Sequence, residues 1–172
     1  MKTDVQVRGL RELEQAMNTL PDKLERNVLM AGLAAGARVI RNAARVNVPK
    51  RSGRLAKYIR TSRASSKLAV MVKAGVRKNN TYDQGWYAAI VHQGAKAHTI
   101  LPKRKGGMLF FNGRFLRAIH HPGFTGVPYL ENAAKANADA AVRAMGSRIA
   151  ERLRDKHGLD VPAPESFDEV ET

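Results

Sequence analysis

Five histidines, His92, His98, His120, His121 and His157, are the side chains of this sequence best suited to chemistry near neutral pH. An imidazole can move a proton or ligate a metal, but either role needs partners of defined type. A catalytic zinc takes three protein ligands, commonly His with Asp or Glu. Between residues 26 and 130 the one acid is Asp83, and no HExxH or His-x-x-x-His helix is present. His120 and His121 are adjacent, so on a strand they point to opposite faces and do not chelate one ion. The chain has 0 cysteines, which removes disulfides and thiolate-held zinc or iron–sulfur centres.

Acid–base and nucleophilic chemistry are equally short of parts. Paired-carboxylate hydrolysis needs two acids converging on one pocket, and the middle of the chain lacks them. Ser52, Ser62, Ser65 and Ser66 lie in basic loop or turn sequence with no orienting acid. No GxSxG elbow, phosphate-binding loop or GxGxxG fingerprint occurs. The expectation is a protein that is not an enzyme, with no catalytic residue, metal or cofactor. A hydrolase built on His120 or His121 is the dissenting reading, to be exposed by activity that either substitution abolishes.

Charge is the stronger signal. Of the 30 Lys and Arg residues, 20 fall between Arg26 and Leu130. Five acids (Asp160, Glu165, Asp168, Glu169, Glu171) crowd the last 13 residues, and removing them raises the net charge from +15 to +20. Such a field favours a polyanion or a strongly acidic protein partner, the plain alternative being a solvated basic surface. The cations concentrate in loops 45–63 and 96–117, which suits contact with phosphate without base reading. No helix-turn-helix, zinc finger or basic zipper is visible. Phe110, Phe111 and Phe115 read as hairpin core, not as a platform for stacked bases.

The elements that must carry these residues follow from periodicity. Leu10, Leu13, Met17 and Leu20 predict a helix over 9–20. A second is predicted from about Asp22 to Asn47, with Leu24, Val28, Ala31, Ala35, Val39 and Ala43 on one stripe and Pro49 ending it. Gly32 and Gly36 have the spacing of a close packing contact. Leu68, Val70, Val72, Ala74 and Val76 alternate as a half-buried strand, paired with the preceding "KYIRTSR". "WYAAIVHQG" reads as a further strand ending at Gly94, and Asn112-Gly113 as a hairpin turn. In "AIHHPGFTGVPYLENAAK" the Pro122-Gly123 turn and Pro128 lead into one helix from about Val127 to His157, with Gly158 as its stop. The histidines there are then edge polar residues of an architectural loop.

These elements predict an α+β fold: one small antiparallel sheet of about five strands against a long N-terminal and a long C-terminal helix. Residues 1–157 would form one domain, and 158–172 an acidic, mobile tail. "MKTDVQVRGL" has no apolar core for a signal peptide and no apolar run is long enough to span a bilayer. The expectation is a soluble protein made in a cytoplasm.

Four segments in order resemble the tail-completion or neck proteins of long-tailed bacteriophages and prophages, similar in type to the minor tail protein Z of phage lambda. "GLRELEQAM" leads into the helix ending "AARVNVPKRSGRLAKYI", where Asn47, Pro49, Ser52, Gly53 and Leu55 match. "WYAAIVHQGAKAHTILPKRKGGMLFF" supplies a glycine turn and an "AHxIxPK" block. "HHPGFTGVPYLENA" matches through His121, Pro122, Gly123, Pro128, Tyr129 and Leu130. The likeness spans roughly residues 5–150. His92-Gln93-Gly94-Ala95 stands where the family often has glutamate–x–glycine–threonine, so no role of that glutamate transfers. Tyr129 replaces the commoner phenylalanine.

The resemblance implies a structural virion protein at the head–tail junction, made in the host bacterial cytoplasm. It implies a ring of six copies that completes the tail, beside neck, tail terminator and tail tube proteins, with no membrane. Lys50, Arg51, Arg54, Lys103, Arg104 and Lys105 would then face packaged DNA or acidic protein surfaces, while His121, Pro122, Gly123, Pro128 and Tyr129 form a structural loop. The rival from a different class is a sequence-nonspecific nucleic-acid-binding protein that uses phosphate contacts.

Overall fold

The computed structural model describes residues 9–64, 68–75, 85–104 and 106–163. Its spine is α2 (Asp22–Asn47), preceded by α1 (Leu10–Asn18). Pro21 caps α2 in an extended conformation, and Asp22 and Glu25 in the first turn complement the helix dipole. Val48, ahead of Pro49, leaves the helix at φ −66°, ψ 136°, the region a following proline imposes.

The buried side of α2 is Val28, Gly32, Gly36, Ala37 and Ala44, which departs from the expected leucine-to-alanine stripe. Leu24 is exposed. The line of contact runs through the glycines because α6 (Ala138–His157) crosses there. A Cβ on Gly32 would sit 2.7 Å from the Ile149 side chain, and one on Gly36 would sit 2.8 Å from the Ala141 carbonyl oxygen. A hydrophobicity pattern cannot register a surface selected for having no side chain.

The single C-terminal helix is interrupted. α5 (Tyr129–Ala136) and α6 are separated by Asn137, at φ −124°, ψ 20°. The Asn137 side-chain amide donates to the Ala133 carbonyl at 3.0 Å, taking the acceptor that its own backbone N–H would use in a continuous helix. Both pieces pack on α2. α6 ends as expected: Gly158 is left-handed (φ 66°), its N–H bonds Arg154 O, and Leu159 N–H reaches back to Leu153 O at 3.2 Å. Leu159 and Val161 then pack on the core formed by Leu13, Met17, Val28, Ile149, Ala150 and Leu153, so the chain stays attached past the expected start of the tail. Residues 164–172, the rest of that tail, lie outside the described residues.

A second core gathers Ala44, Val48, Leu55, Ile59, Ala88, Tyr129 and Ala133. Leu55 comes from α3 (Arg54–Lys57), a single turn inside the expected basic loop. Ala88 comes from α4 (Ala88–Gln93), where the sequence reading placed a strand. A six-residue apolar run does not reveal its own period. Here Ala88 with Tyr87 and Val91 faces the core at helical spacing, and Trp86 and Ile90 face out.

The structure is mixed helix and strand, but the expected sheet of about five strands does not form. Among the described residues eight short strands make four separate antiparallel pairs. β1 (Arg60–Arg63) pairs with β2 (Val70–Lys73), and Val70 and Val72 alternate with exposed Met71 and Lys73 as predicted. Val76 lies outside the described residues. The other pairs are β3 (Gly94–Ala95) with β8 (Phe124–Thr125), β4 (His98–Ile100) with β7 (Ile119–His121), and β5 (Leu109–Phe111) with β6 (Arg114–Leu116). No helix among the described residues is long and apolar enough to cross a membrane.

Candidate functional site

The last three pairs form one object. Gly94 lies opposite Thr125 and His98 opposite His121, so the register passes unslipped from β3/β8 into β4/β7. Pro122, which has no N–H, and Gly123 interrupt the ladder between them without shifting it. From Ile100↔Ile119 to Leu109↔Leu116 the first strand advances nine residues and the second three. The surplus, with described residues 101–104 and 106–108, is a bulge carrying Lys103 and Arg104 in a two-stranded arm. β4 and β7 pack chiefly on each other, as do β5 and β6. Fully extended, the strand from Arg114 to Thr125 reaches about 35 Å.

Backbone contact anchors the arm at its root. A Cβ on Gly94 would lie 2.5 Å from Gly126 N and from Phe124 O, and one on Gly126 would overlap the backbone of Gln93 and Gly94. Gly123, at φ 81°, brings its α-carbon against Ala95 O and Ala97 N. Val127 N–H donates to Val91 O at 2.9 Å, tying the strand leaving the arm to α4. The segment 121–129 is thus held by close backbone contacts to residues 91–97. Pro128 precedes the first turn of α5, and Tyr129 is buried with its hydroxyl donating to Ala88 O.

His121 is half-buried, and its Nδ1 accepts the Gly123 N–H at 3.0 Å. Its ring stacks on His98 across the ladder, centroids 5.0 Å apart, and His98 Nδ1 donates to Lys96 O at 2.8 Å. His120 is exposed on the opposite face. His92 packs edge-on to Tyr129, its Nδ1 buried without a hydrogen-bond partner. Among the described residues no three histidines or acids come together as a metal site. His98 and His121 thus stack on each other, and His121 closes the turn at Gly123.

The tip departs from expectation. Asn112 (φ 48°) and Gly113 (φ 76°) make the predicted turn, yet among the described residues no core lies beneath the hairpin. Phe110 and Phe115 face each other across the strands, centroids 5.2 Å apart, and are each 67% exposed; Phe111, on the other face, is 53% exposed. Leu101 and Met108, in the bulge, are exposed as well. The signal was present in "MLFF": consecutive apolar residues make both faces of a strand apolar, and a two-stranded ribbon cannot cover both.

The predicted cations fall on two separate elements. Lys103 and Arg104 are exposed in the arm's bulge, and Lys105 lies outside the described residues. Lys50 and Arg51 are exposed at the foot of α3, which Arg54 begins. Arg45, at the start of the expected basic loop 45–63, belongs to α2 instead; its Nε donates to Ile59 O at 3.0 Å and holds the α3–β1 connection on α2. On α2, burial and the neighbouring Arg45 and Arg38 push the Arg41 guanidinium below its ordinary value.

The other unfilled feature is an apolar groove of about 470 Å³ among α2, β2, α5 and α6, lined by Leu33, Ile40, Val72, Leu130, Ala134 and Met145. Glu131 is the one charged residue among its described lining. No family model, characterised protein or solved structure matches the chain.

Proposed function

We propose that this protein is a structural component of a bacteriophage virion, assembling as a ring at the head–tail junction to complete the tail and join it to the DNA-filled head. The observation that carries this reading is the arm: a two-stranded ribbon with exposed aromatic residues on both faces and no element among the described residues covering them. A hairpin alone is marginal in water, so a ribbon of this composition gains its stability from a neighbour. The resemblance in "VPKRSGRL", "AHTILPK" and "HHPGFTGVPYL" supplies the biological setting. The mode of action is shape and positive surface, with no substrate transformed. Neighbours would be other copies, neck, tail terminator and tail tube proteins, and packaged DNA.

The test is assembly. The purified chain, alone or with tail tubes, should form closed rings of about six copies in negative-stain images, and lysates lacking it should accumulate unjoined heads and tails. A chain that forms no multimer and is dispensable for joining ends the proposal.

A second reading, sequence-nonspecific nucleic-acid binding, is favoured by the 20 cations against one acid between residues 26 and 130. Its mark is tight duplex-DNA binding by the isolated chain, with an affinity that falls with salt at about 0.9 log units per neutralised phosphate. Weak binding together with ring formation favours the structural reading.

A further inference from the structure

We propose that the aromatic tip of the arm seats in the apolar groove between α2, β2, α5 and α6 of a second copy of this chain, linking copies head to tail. This inference rests on the reading of the protein as a repeated building block and identifies the contact that would repeat.

Three observations choose a second copy as the occupant. The first is size. A cavity of about 150 Å³ takes one benzene ring, so a groove of about 470 Å³ has room for two or three. The tip offers three, Phe110, Phe111 and Phe115. The second is area. At 67%, 53% and 67% exposure, and about 150–250 Å² per aromatic side chain, these rings bring roughly 300–450 Å² to a contact. That is close to half of the ~800 Å² per partner in a standard interface, with Leu101 and Met108 of the bulge beside them. The third is charge. The arm from Gly94 to Thr125 has six Lys or Arg residues and no acid, and the groove's described lining has one charged residue, the carboxylate of Glu131. Arg114 opens the aromatic strand β6 and Arg117 follows it, two cations on the tip of charge opposite to that acid.

Tip and groove are different surfaces of one chain, so the contact is heterologous. Each copy gives an arm to one neighbour and accepts one from another, a geometry that closes into a ring or runs on as a filament. It also covers the apolar faces of β5/β6, which no element among the described residues does, and buries Val70 and Val72 of β2, which line the groove.

With no native cysteine, the contact can be tested by mixing two full-length single-cysteine variants, Arg114→Cys at the tip and Ala134→Cys in the groove. A short thiol-to-thiol cross-linker should then give a mixed covalent dimer at well above the yield of either variant alone. Phe110→Ser/Phe115→Ser, which alters exposed residues only, should weaken self-association at least ten-fold by analytical ultracentrifugation with the circular dichroism spectrum unchanged. Multimers that form without the mixed cross-link, or that tolerate the double serine variant, overturn this contact and leave the ring reading standing. A chain that stays monomeric at every concentration overturns both. A chain bearing both cysteines that cross-links only within itself shows the arm folding onto its own groove, which also overturns the proposal.

Discussion

The Tyr129 hydroxyl donates to the Ala88 carbonyl oxygen at 3.3 Å, joining the first turn of α5 to the first turn of α4 across 41 residues. The intervening chain includes the whole arm, so this bond and the buried ring around it close the arm's base. Replacing Tyr129 by Phe keeps the ring and removes the bond. The expected loss is about 1 kcal/mol in urea unfolding. Tyr129→Ala should lose about 3–5 kcal/mol, since it empties a site at the centre of a core. Equal losses in the two variants would mean that the ring contributes nothing beyond its hydroxyl.

The same residue sets a response to alkali. Burial pushes the Tyr129 phenol above its ordinary value, so the unfolded chain ionises first, near pH 10. Above that pH the unfolded state holds fewer protons than the native state, and stability falls as pH rises toward the native value. Below pH 10 the contribution is fully present. Stability curves between about pH 9 and 12 should therefore slope less steeply for Tyr129→Phe than for the native protein. Parallel slopes would place the alkaline loss elsewhere.

How much of this was legible in the sequence divides by mechanism. The bounds of α2, the β1/β2 pair, the Asn112-Gly113 turn and the Gly158 stop were readable because each depends on local chemistry: a proline, an alternation, two residues that tolerate positive φ. The α4 segment was not, because Ala88 and Val91 acquire their inward direction from a core built by Leu55 and Tyr129, distant in sequence. Asn137 breaks a helix through its own side-chain bond to Ala133, a choice that periodicity does not see. At the candidate site the basic loops were visible as composition. The exposure of Phe110 and Phe115 follows from β5 and β6 pairing only with each other among the described residues; the run "MLFF" carries the apolar character of both faces, but not the number of strands that would cover them.

Helix crossing offers a sharper test of packing. Gly36→Ala should raise intrinsic helix propensity by about 1 kcal/mol. Its Cβ would meet the Ala141 carbonyl oxygen at 2.8 Å, a backbone atom of α6 that cannot rotate away. Overpacking of this kind costs about 1–3 kcal/mol, and the upper part of that range applies when backbone must move. The net expectation is destabilisation by about 1–2 kcal/mol, read from the thermal midpoint. A midpoint that rises would show α2 and α6 further apart than described.

The arm's root should be the most sensitive glycine contact. An added methyl at Gly126 overlaps the backbone of Gln93 and Gly94, where neither side can yield. Gly126→Ala is expected to lose roughly 2–3 kcal/mol and to loosen the arm before the helices. Trypsin would report it directly, cutting at Lys96, Arg114 and Arg117 faster in the variant while the α2–α6 pair resists. Unchanged cleavage would mean that the arm is not held through this crossing.

The two basic surfaces lie on different elements, and that separates their roles experimentally. Lys103 and Arg104 ride on the bulge of the arm, whereas Lys50 and Arg51 sit on the body beside α3. All four are exposed, so reversal to Glu should change folding stability by no more than about 0.5 kcal/mol. Association with a polyanion or an acidic neighbour responds differently, because each lost phosphate contact lowers the salt slope by about 0.9. If both surfaces face one polyanion, Lys103→Glu/Arg104→Glu and Lys50→Glu/Arg51→Glu should each flatten the slope by about two, and the effects should add. If the bulge instead works at the contact between copies, its reversal should alter self-association and leave DNA affinity as it was. Measuring both variants in both assays assigns each loop to DNA or to protein, and a pair of reversals that moves neither assay removes these cations from the functional surface.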